Sequence, residues 1–379
     1  PSKPDPEAVA ELARLIDAAE RPVIVAGNGV LQSGSGAALE ALAERSGVAI
    51  ATSYNAKGAI VETSPASVGM LGNWGHRCAN VALSRADLVV MLGASMGPDY
   101  TRFRDPKLVR PGEQTLVQVD IDPRNAGWVY PVDLAITADV RDVIDLLTET
   151  GLATERRATR LEAIAGIQKE TGYGVLPQVS ARQGYLHHAD LVRAMQGFLT
   201  ADDYLTLDAG ANRIWSTFGL RMPHRERLLV PGGTGIMGWG PPAAAACKLV
   251  HRDKRVTCLA GDGGFMMTLQ TIATCVQQQA PVVFLVSNNS GLGMVRDNLG
   301  DKPIAVDFGE VSDLVGIGRD PAEHAFTQQC ADREVAHQRR KGELAAEVTG
   351  EQSGRQYDQQ LFDERGMHPW RSSGGSCVM

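Results

Sequence analysis

Short apolar runs alternate with helix-like spacing of apolar residues along the first part of the chain. Helices are predicted over 11–19 and 38–45. Strands are predicted over 23–26, 48–51, 87–93 and 116–120. Continuous apolar runs of this kind are typical of strands that are buried on both faces. The pattern therefore predicts a parallel sheet with helices on both sides.

A second block with the same texture begins near residue 187. Its strands are predicted over 204–208, 256–260 and 282–286, and its helices over 191–199 and 267–279. The helix over 267–279 has a suitable length for a right-handed crossover between two parallel strands. Residues 151–185 are polar and contain glycine and proline, so they are predicted to be a linker with room for one helix.

The apolar runs disappear after about residue 310, where glutamine, serine and charged residues replace them. The sequence thus predicts an α/β protein with two doubly wound parallel-sheet domains, at 1–150 and 186–310, joined by the linker at 151–185. A polar tail of uncertain order follows at 311–379, because this segment lacks the apolar surface that would order it. A disordered tail and a tail produced by a different reading frame or splice both explain this composition.

Composition and charge exclude several classes of function. The net charge is −7 and no basic block is present, which argues against binding to nucleic acid. No apolar run approaches the roughly 18 residues that a membrane span requires, so no membrane span is expected. The six cysteines form no CxxC pair, which argues against a zinc or redox site. Scattered cysteines in apolar segments fit a small hydrophobic role and a reducing, cytoplasmic location.

Two polar turns follow predicted strands of the second block and carry the candidate chemistry. The first reads GDGGF over 261–265, and the second reads NNSG over 288–291. One helix and one strand separate them, so both turns should lie at the carboxyl edge of the sheet, where ligands bind in open α/β sheets. The carboxylate of Asp262, the side-chain oxygen of Asn289 and a backbone carbonyl near Gly291 are hard oxygen ligands of the kind that Mg²⁺ prefers.

The glycines of the first turn also suit an anionic ligand. Without a Cβ atom, Gly261, Gly263 and Gly264 allow backbone N–H groups to approach a diphosphate. A helix that is predicted to begin after Phe265 would direct its N-terminus to the same place. The alternative is a structural one, in which turn glycines and an asparagine turn only connect the elements.

The GDG turn and the NN turn at this interval resemble the binding signature of thiamine-diphosphate (ThDP) enzymes. The glycine-rich segment 231–246 is similar to that of the acetolactate synthase group of this family. The resemblance implies that Met237, which alone would be read as an ordinary core methionine, bends the cofactor so that it can deprotonate itself. It assigns cofactor binding to Gly210, Gly235, Met237, Gly261, Asp262, Gly263, Gly264, Asn289, Gly291, Leu292, Gly293 and Met294.

One turn departs from the family pattern. Residues 208–215 resemble a segment in which the family has a Gly-Gln-His-like turn at the diphosphate, but this chain has Gly210, Ala211 and Asn212 there. The resemblance therefore carries over the backbone role of Gly210 and leaves the two side-chain contacts open.

The first block resembles the central domain of the same enzymes, and the second block resembles their diphosphate- and Mg²⁺-binding domain. In acetolactate synthases the central domain holds FAD with an arginine-bearing segment, whereas the matching segment here, 93–99, contains no arginine. This difference argues against FAD. Gly27 and Gly29 either end a strand or contact a nucleotide, and no complete GxGxxG motif decides between these roles.

The resemblance covers about residues 1–310 and includes no counterpart of the pyrimidine-binding domain of the family. That domain supplies the glutamate that activates the cofactor, so the resemblance assigns no catalytic residue to this chain. We expect little turnover from the chain alone unless a separate chain provides the missing domain. Family members join these domains across a dimer interface, so a homo-oligomer or a separate pyrimidine-domain chain is the expected partner.

The resemblance implies a ThDP- and Mg²⁺-dependent decarboxylase or carboligase that acts on a 2-oxo acid such as pyruvate, with an unidentified second substrate. A non-catalytic or truncated subunit with the same fold is the alternative, and the polar tail favours it. A dinucleotide-binding oxidoreductase is a third hypothesis, which the missing GxGxxG motif disfavours.

Overall fold

The computed structural model describes residues 3–176, 178 and 186–299. These residues divide into two units. The first contains the residues up to 175 together with 199–205 and 217–234, and the second contains 176–198, 206–216 and the residues from 235 onward. The predicted tail at 311–379 and the end of the predicted 186–310 domain lie outside the described residues.

The first unit is built on a six-stranded sheet. Its strands are β1 (Pro22–Ala26), β2 (Ala49–Thr52), β3 (Ser67–Met70), β4 (Leu88–Leu92), β5 (Thr115–Asp120) and β6 (Leu134–Thr137). They lie in the order β3-β2-β1-β4-β5-β6, and every pair of neighbours is parallel. The predicted parallel sheet is therefore confirmed.

Helices cover both faces of this sheet. They are α1 (Pro6–Ala18), α2 (Asn28–Gln32), α3 (Gly36–Ser46), α4 (Arg77–Arg85), α5 (Val140–Thr150) and α6 (Arg157–Thr171). Along β1, Ile24 and Ala26 pack into a core with α1, α3 and α5, whereas Val23 and Val25 pack into a second core with α4. Because successive strand residues point to opposite faces, this alternation makes the unit doubly wound.

Acidic residues begin two of these helices. The side chain of Asp5 accepts a hydrogen bond from the N–H of Glu7 at the start of α1, and Asp139 accepts one from Arg141 at the start of α5. Each carboxylate satisfies an N–H group that has no partner within its helix. These local signals stabilise the two helix starts independently of the core.

Helix α6 lies within the region that the sequence predicted as a linker. It contacts α3, α4 and β2, so residues 157–171 are an ordered part of the first unit. Its Arg160 is buried and donates hydrogen bonds to the carbonyls of Ile16, Ala19 and Ser46, at the ends of α1 and α3. The guanidinium thereby satisfies carbonyls that a helix leaves without partners at its C-terminus.

The second sheet has four strands: β7 (Tyr204–Leu207), β8 (Leu228–Leu229), β9 (Val256–Gly261) and β10 (Val283–Ser287). Their order is β10-β9-β7-β8. The helices of this part of the chain are α7 (His188–Phe198), α8 (Ala211–Gly219), α9 (Gly240–Val250), α10 (Asp262–Met267), α11 (Thr271–Gln277) and α12 (Gly293–Leu299). None of the described helices in the chain is both long and apolar enough to cross a membrane.

The crossover between β9 and β10 differs from its prediction. A single helix was predicted over 267–279, with a start after Phe265. The structure instead has α10, which begins directly at Asp262, and α11, which begins at Thr271. Thr268 leaves the helical conformation and separates the two helices. The first turn of α10 therefore contains the GDGG motif itself.

Candidate functional site

The ends of β9 and β10 lie side by side. The two strands are parallel, and Gly261 at the end of β9 is paired with Ser287 at the end of β10. Asp262 follows one strand end directly, and Asn289 follows the other after one residue. The structure therefore has the predicted adjacency of the two polar turns.

The carboxylate of Asp262 joins these turns. It is 2% exposed. Its Oδ1 accepts a hydrogen bond of 2.9 Å from the N–H of Gly263, and its Oδ2 accepts one of 3.0 Å from the N–H of Gly291. In the part of the chain that the structure describes, no lysine or arginine forms an ion pair with it. A carboxylate has about four acceptor sites, so two hydrogen bonds leave capacity for a cation.

Asn289 belongs to the second turn, which follows β10, and is exposed. Its Nδ2 is so close to Gly293 that a Cβ atom there would come within 2.2 Å. The neighbouring turn is held by a hydrogen bond of 2.9 Å from the N–H of Ser290 to Oδ1 of Asn288. A side chain at position 293 would therefore displace the end of the exposed Asn289 side chain.

Three or more His, Cys, Asp or Glu side chains do not come together as a metal cluster anywhere in the described residues. The predicted set of Mg²⁺ ligands does not require such a cluster. It contains one carboxylate, from Asp262, together with the amide oxygen of Asn289 and the carbonyl of Gly291. Such mixed oxygen sets suit Mg²⁺, which retains water and substrate oxygens in its shell.

The glycines of the GDGG turn differ from one another in their surroundings. A Cβ atom on Gly264 would lie 2.0 Å from Oδ2 of Asp208, so Gly264 is required for close packing against that carboxylate. At Gly261 the nearest contact of a Cβ atom would be 3.9 Å away, which leaves space beside the strand end. In addition, α10 has only six residues and begins at Asp262. A short helix contributes little dipole, so the predicted helix N-terminus is a weak source of anion binding.

The glycine-rich segment before α9 contains several left-handed backbone positions. Gly233, Gly235 and Gly238 have positive φ values of 56°, 63° and 76°. Between the last two, Met237 is 37% exposed. Because L-residues with a side chain rarely adopt these φ values, the glycines determine the path on which Met237 is presented.

Asp208 holds the end of this segment, and sequence reasoning did not assign it that role. Its Oδ2 accepts a hydrogen bond of 2.9 Å from the N–H of Gly238. Its Oδ1 accepts hydrogen bonds from Trp239 at 3.0 Å and Gly240 at 3.3 Å. The only signal in the sequence was its position at the end of a predicted strand.

The turn after β7 supplies a further polar group. Gly210 has a φ of 113°, and α8 begins at the next residue. Asn212, in the first turn of α8, is buried, and its Nδ2 has no hydrogen-bond partner in the described structure. An unsatisfied buried amide is costly, so a ligand atom that accepts a hydrogen bond from Asn212 would stabilise this turn.

The remaining predicted residues lie at the start of α12. Leu292 precedes the helix and its carbonyl accepts the N–H of Arg296. Gly293 is the first helical residue, and Met294 is partly exposed. The structure thus brings the predicted residues from 261 to 264 and from 289 to 294 together around the two strand ends.

A buried group of titratable side chains lies in the first unit. The Nζ of Lys57 is 2.6 Å and 2.7 Å from the two oxygens of Glu62 and donates to the carbonyl of Leu220 at 2.8 Å. Glu62 also accepts a hydrogen bond from the N–H of Met222. Burial lowers the pKa of Lys57, and the negative charge of Glu62 opposes that shift. The pair connects two parts of the first unit that are distant in sequence.

His76 belongs to the same group. Its Nδ1 accepts a hydrogen bond from the N–H of Met70, and its Nε2 lies 2.8 Å from the carbonyl of Phe218. Burial, and after it the positive charge of Lys57, lowers the pKa of His76 to about 3. The ring is therefore neutral and carries its proton on Nε2, which gives it a structural role.

The glycines of the first block serve close backbone packing. A Cβ atom on Gly27 would lie 2.0 Å from the carbonyl oxygen of Gly93, and one on Gly29 would lie 2.8 Å from the Cα of Gly93. The N–H groups of Gly27 and Gly29 donate to the carbonyls of Leu92 and Gly93. Of the two roles left open by the sequence, the end of a strand is the one that these contacts explain.

Comparison with known proteins agrees with this architecture. Residues 9–147 match the model of the thiamine pyrophosphate enzyme central domain. Residues 208–333 match the model of the C-terminal TPP-binding domain of the same enzymes. The two matches follow the predicted order of the two blocks, and the second extends to residue 333, beyond the predicted domain end at 310.

Several curated proteins are similar over most of the chain. The acetolactate synthase isozyme 1 large subunit of Escherichia coli is 32% identical over 76% of this chain and 50% of its own length. A probable acetolactate synthase large subunit of Methanocaldococcus jannaschii is 31% identical over 82% of this chain and 54% of its own length. The pyruvate oxidase of Lactiplantibacillus plantarum is 28% identical over 82% of this chain and 51% of its own length. The chain spans about half the length of these relatives.

The fold and the strand-end site define a parallel α/β protein in which Asp262 and Asn289 follow two neighbouring strand ends at the carboxyl edge of a sheet. With the two domain matches, the chain belongs to the thiamine pyrophosphate enzymes of the acetolactate synthase-like family.

Proposed function

We propose that the second unit binds ThDP through a Mg²⁺ ion held by Asp262, Asn289 and the carbonyl of Gly291. The observation that carries this proposal is the buried carboxylate of Asp262, which has two N–H partners and no cationic partner in the described structure. A metal bound to it would reach the diphosphate as well, because Mg²⁺ commonly bridges carboxylate and phosphate oxygens.

Other groups near the site fit the same ligand. The buried Nδ2 of Asn212 is a donor without a partner in the described structure, and a diphosphate oxygen would accept its hydrogen bond. The chain thereby replaces a side chain of the family's Gly-Gln-His-like turn with a shorter donor. Gly210 and Gly235 both have the left-handed backbone conformation that favours glycine. The partly exposed Met237 is the side chain that would contact the cofactor ring.

We propose that the protein serves a ThDP-dependent decarboxylase or carboligase that acts on a 2-oxo acid such as pyruvate. Bound ThDP supplies the group that stabilises a carbanion, and the protein binds and orients it. The similarity to acetolactate synthase and pyruvate oxidase supports this substrate class. The expected partner is a second copy of the chain or a chain that carries a pyrimidine-binding domain, in the cytoplasm.

We propose that the first unit functions without FAD. The contacts of Gly27 and Gly29 with Gly93 account for these glycines by packing alone, and segment 93–99 lacks an arginine. Flavin absorbance that stayed with the protein through gel filtration after incubation with FAD would contradict this proposal.

The metal site is tested by calorimetric titration of the chain with ThDP in the presence of Mg²⁺ or of a chelator. Binding should require Mg²⁺. Asp262→Asn should weaken it by at least about tenfold, because a neutral amide of the same size cannot replace a charged metal ligand. Pyruvate consumption should depend on the same residue wherever turnover is measurable.

Asp253→Asn is the matched control, since this aspartate is exposed and lies on the loop before β9. It should leave ThDP binding unchanged. Equal binding by the Asp262→Asn variant and the unchanged chain, or binding that survives the chelator, would reject the metal assignment.

A further inference from the structure

We propose that Asp208 is a positioning residue: it holds the peptide bond that follows Met237 and so determines where this side chain lies relative to the Asp262 turn. The proposed consequence for ThDP rests on the function proposed above. The side chain of Asp208 is 0% exposed. It therefore cannot touch a ligand itself and must act through the backbone groups that it binds.

Asp208 caps the start of α9. Its first three residues are Gly240, Pro241 and Pro242, and the side chain of the preceding Trp239 makes no capping hydrogen bond. Proline has no N–H group. Asp208 accepts the N–H groups that remain at this end, from Gly238, Trp239 and Gly240. One carboxylate thus satisfies the whole N-terminus of α9, where a negative charge is also favourable.

Glycines pack closely around that carboxylate. A Cβ atom on Gly264 would lie 2.0 Å from its Oδ2, and one on Gly240 would lie 2.9 Å from the Cβ of Asp208. A Cβ atom on Gly238 would lie 3.1 Å from the Cβ of Met267 and 3.4 Å from the carbonyl oxygen of Gly264. The glycine-rich segment and the GDGG turn therefore both lie against Asp208.

A backbone hydrogen bond links Asp208 to the peptide bond of Met237. The N–H group of Gly238 belongs to the peptide bond whose carbonyl is that of Met237. A hydrogen bond from this N–H to Oδ2 of Asp208 therefore fixes the peptide plane next to the Met237 side chain. Asp262 lies two residues before Gly264, and Gly264 packs on the same oxygen, Oδ2 of Asp208. The carboxylate of Asp208 therefore contacts both the segment that carries Met237 and the turn that carries Asp262.

The substitution Asp208→Asn separates this role from simple space filling. Asparagine has the same size and retains the packing on Gly264, but only one of its two polar atoms can accept a hydrogen bond. The orientation that retains the larger number of bonds places its oxygen towards Trp239 and Gly240. Its NH₂ group then faces the N–H of Gly238, so the bond beside Met237 is the one that is lost.

The first measurement needs no ligand. Amide hydrogen exchange, followed by mass spectrometry on peptides that cover 236–241, should be faster in Asp208→Asn than in the unchanged chain. Asp203→Asn is the matched control, because Asp203 is also buried and accepts the N–H of Thr200 in the turn before β7. This control should leave exchange in 236–241 unchanged. Unchanged exchange in Asp208→Asn would overturn the proposal.

The second measurement compares ThDP with methylenediphosphonate, each titrated with Mg²⁺. The diphosphonate lacks the rings that Met237 would contact. Asp208→Asn should therefore weaken ThDP by about tenfold, the scale of one lost buried hydrogen bond, and should change diphosphonate binding little. Equal losses for both ligands, or no loss for either, would overturn the role of Asp208 in placing Met237.

The two measurements also separate this proposal from the proposed function. If the unchanged chain bound neither ligand, the ThDP assignment would fail, and the exchange comparison alone would still decide whether Asp208 holds the 238–240 backbone. If the unchanged chain bound both ligands and Asp208→Asn behaved like the unchanged chain in both measurements, the proposed function would be retained and the proposed role of Asp208 would be rejected.

Discussion

Glycines that look equivalent in the GDGG motif have different physical roles. Gly261 has free space beside it, whereas Gly264 packs directly on the carboxylate of Asp208. Outside the motif, Gly293 lies close to the exposed side chain of Asn289. The sequence placed these residues at the site, but it assigned all the GDGG glycines to a single purpose, the approach of a diphosphate. The surrounding atoms come from other turns and decide each role.

Gly264→Ala should destabilise the protein by about 1–3 kcal/mol, the usual cost of overpacking a filled site. The new methyl group would displace an oxygen of Asp208 that already accepts a hydrogen bond from Gly238. Urea unfolding measures the loss.

Gly166→Ala is the opposite case within α6. A Cβ atom there would meet nothing within 4 Å. Because alanine favours a helix over glycine, this change should stabilise the protein by up to about 1 kcal/mol. Equal effects of the two substitutions would show that the local surroundings of Gly264 do not matter.

Elements with clear apolar runs were predictable, and polar elements were not. The strands β1, β2, β4 and β5 fall within or beside the predicted runs. The sequence allowed one helix in the predicted linker but did not locate α6, because this helix fully buries only Arg160 and Ile164. The hydrogen bonds from Arg160 to the ends of other helices leave no periodic signal in the sequence.

Arg160→Met should destabilise the protein by about 2–3 kcal/mol. The change retains much of the side-chain volume but leaves buried carbonyls at the ends of α1 and α3 without their charged donor. Chemical denaturation reports the difference in the free energy of unfolding.

The exposed Arg156 at the start of the same helix provides the control. Arg156→Met should change stability by no more than about 0.5 kcal/mol, as is usual for surface positions. A similarly small effect at Arg160 would mean that water replaces its hydrogen bonds at no cost.

The stability of the whole molecule should depend on pH through the buried His76. Its pKa is lowered to about 3 in the folded protein, whereas an unfolded histidine titrates near 6.5. Below about pH 6.5 the unfolded chain takes up a proton that the folded protein does not. Stability is therefore lost as the pH falls from about 6.5 towards 3.

This histidine should account for about 2 kcal/mol of the stability that is lost between pH 7 and pH 5. In His76→Asn, which can still accept the N–H of Met70, that part of the loss should disappear. Urea unfolding of both proteins at the two pH values measures it.

His224→Asn, at an exposed histidine, should retain the pH dependence of the unchanged protein. Identical pH dependence in His76→Asn would place the acid sensitivity elsewhere in the fold, whatever the stability of that variant at pH 7.

Strands β3, β6 and β8 were not predicted, but the alternation of strands and helices in the two blocks and the place of the two polar turns were readable from the amino-acid sequence. Both depend on short-range information: the periodicity of apolar residues defines an element, and consecutive parallel strands end at the same edge of a sheet. For this reason Asp262 and the turn with Asn289 could be placed together from the sequence alone.

Only the tertiary structure revealed the partners of the buried polar groups. Asp208 binds the N–H of Gly238 from 30 residues away, and His76 contacts the carbonyl of Phe218 from 142 residues away. Such bonds form wherever folding buries a polar atom that must find a partner. The choice of partner depends on which distant segments lie close together in the fold, and local sequence patterns do not predict such contacts.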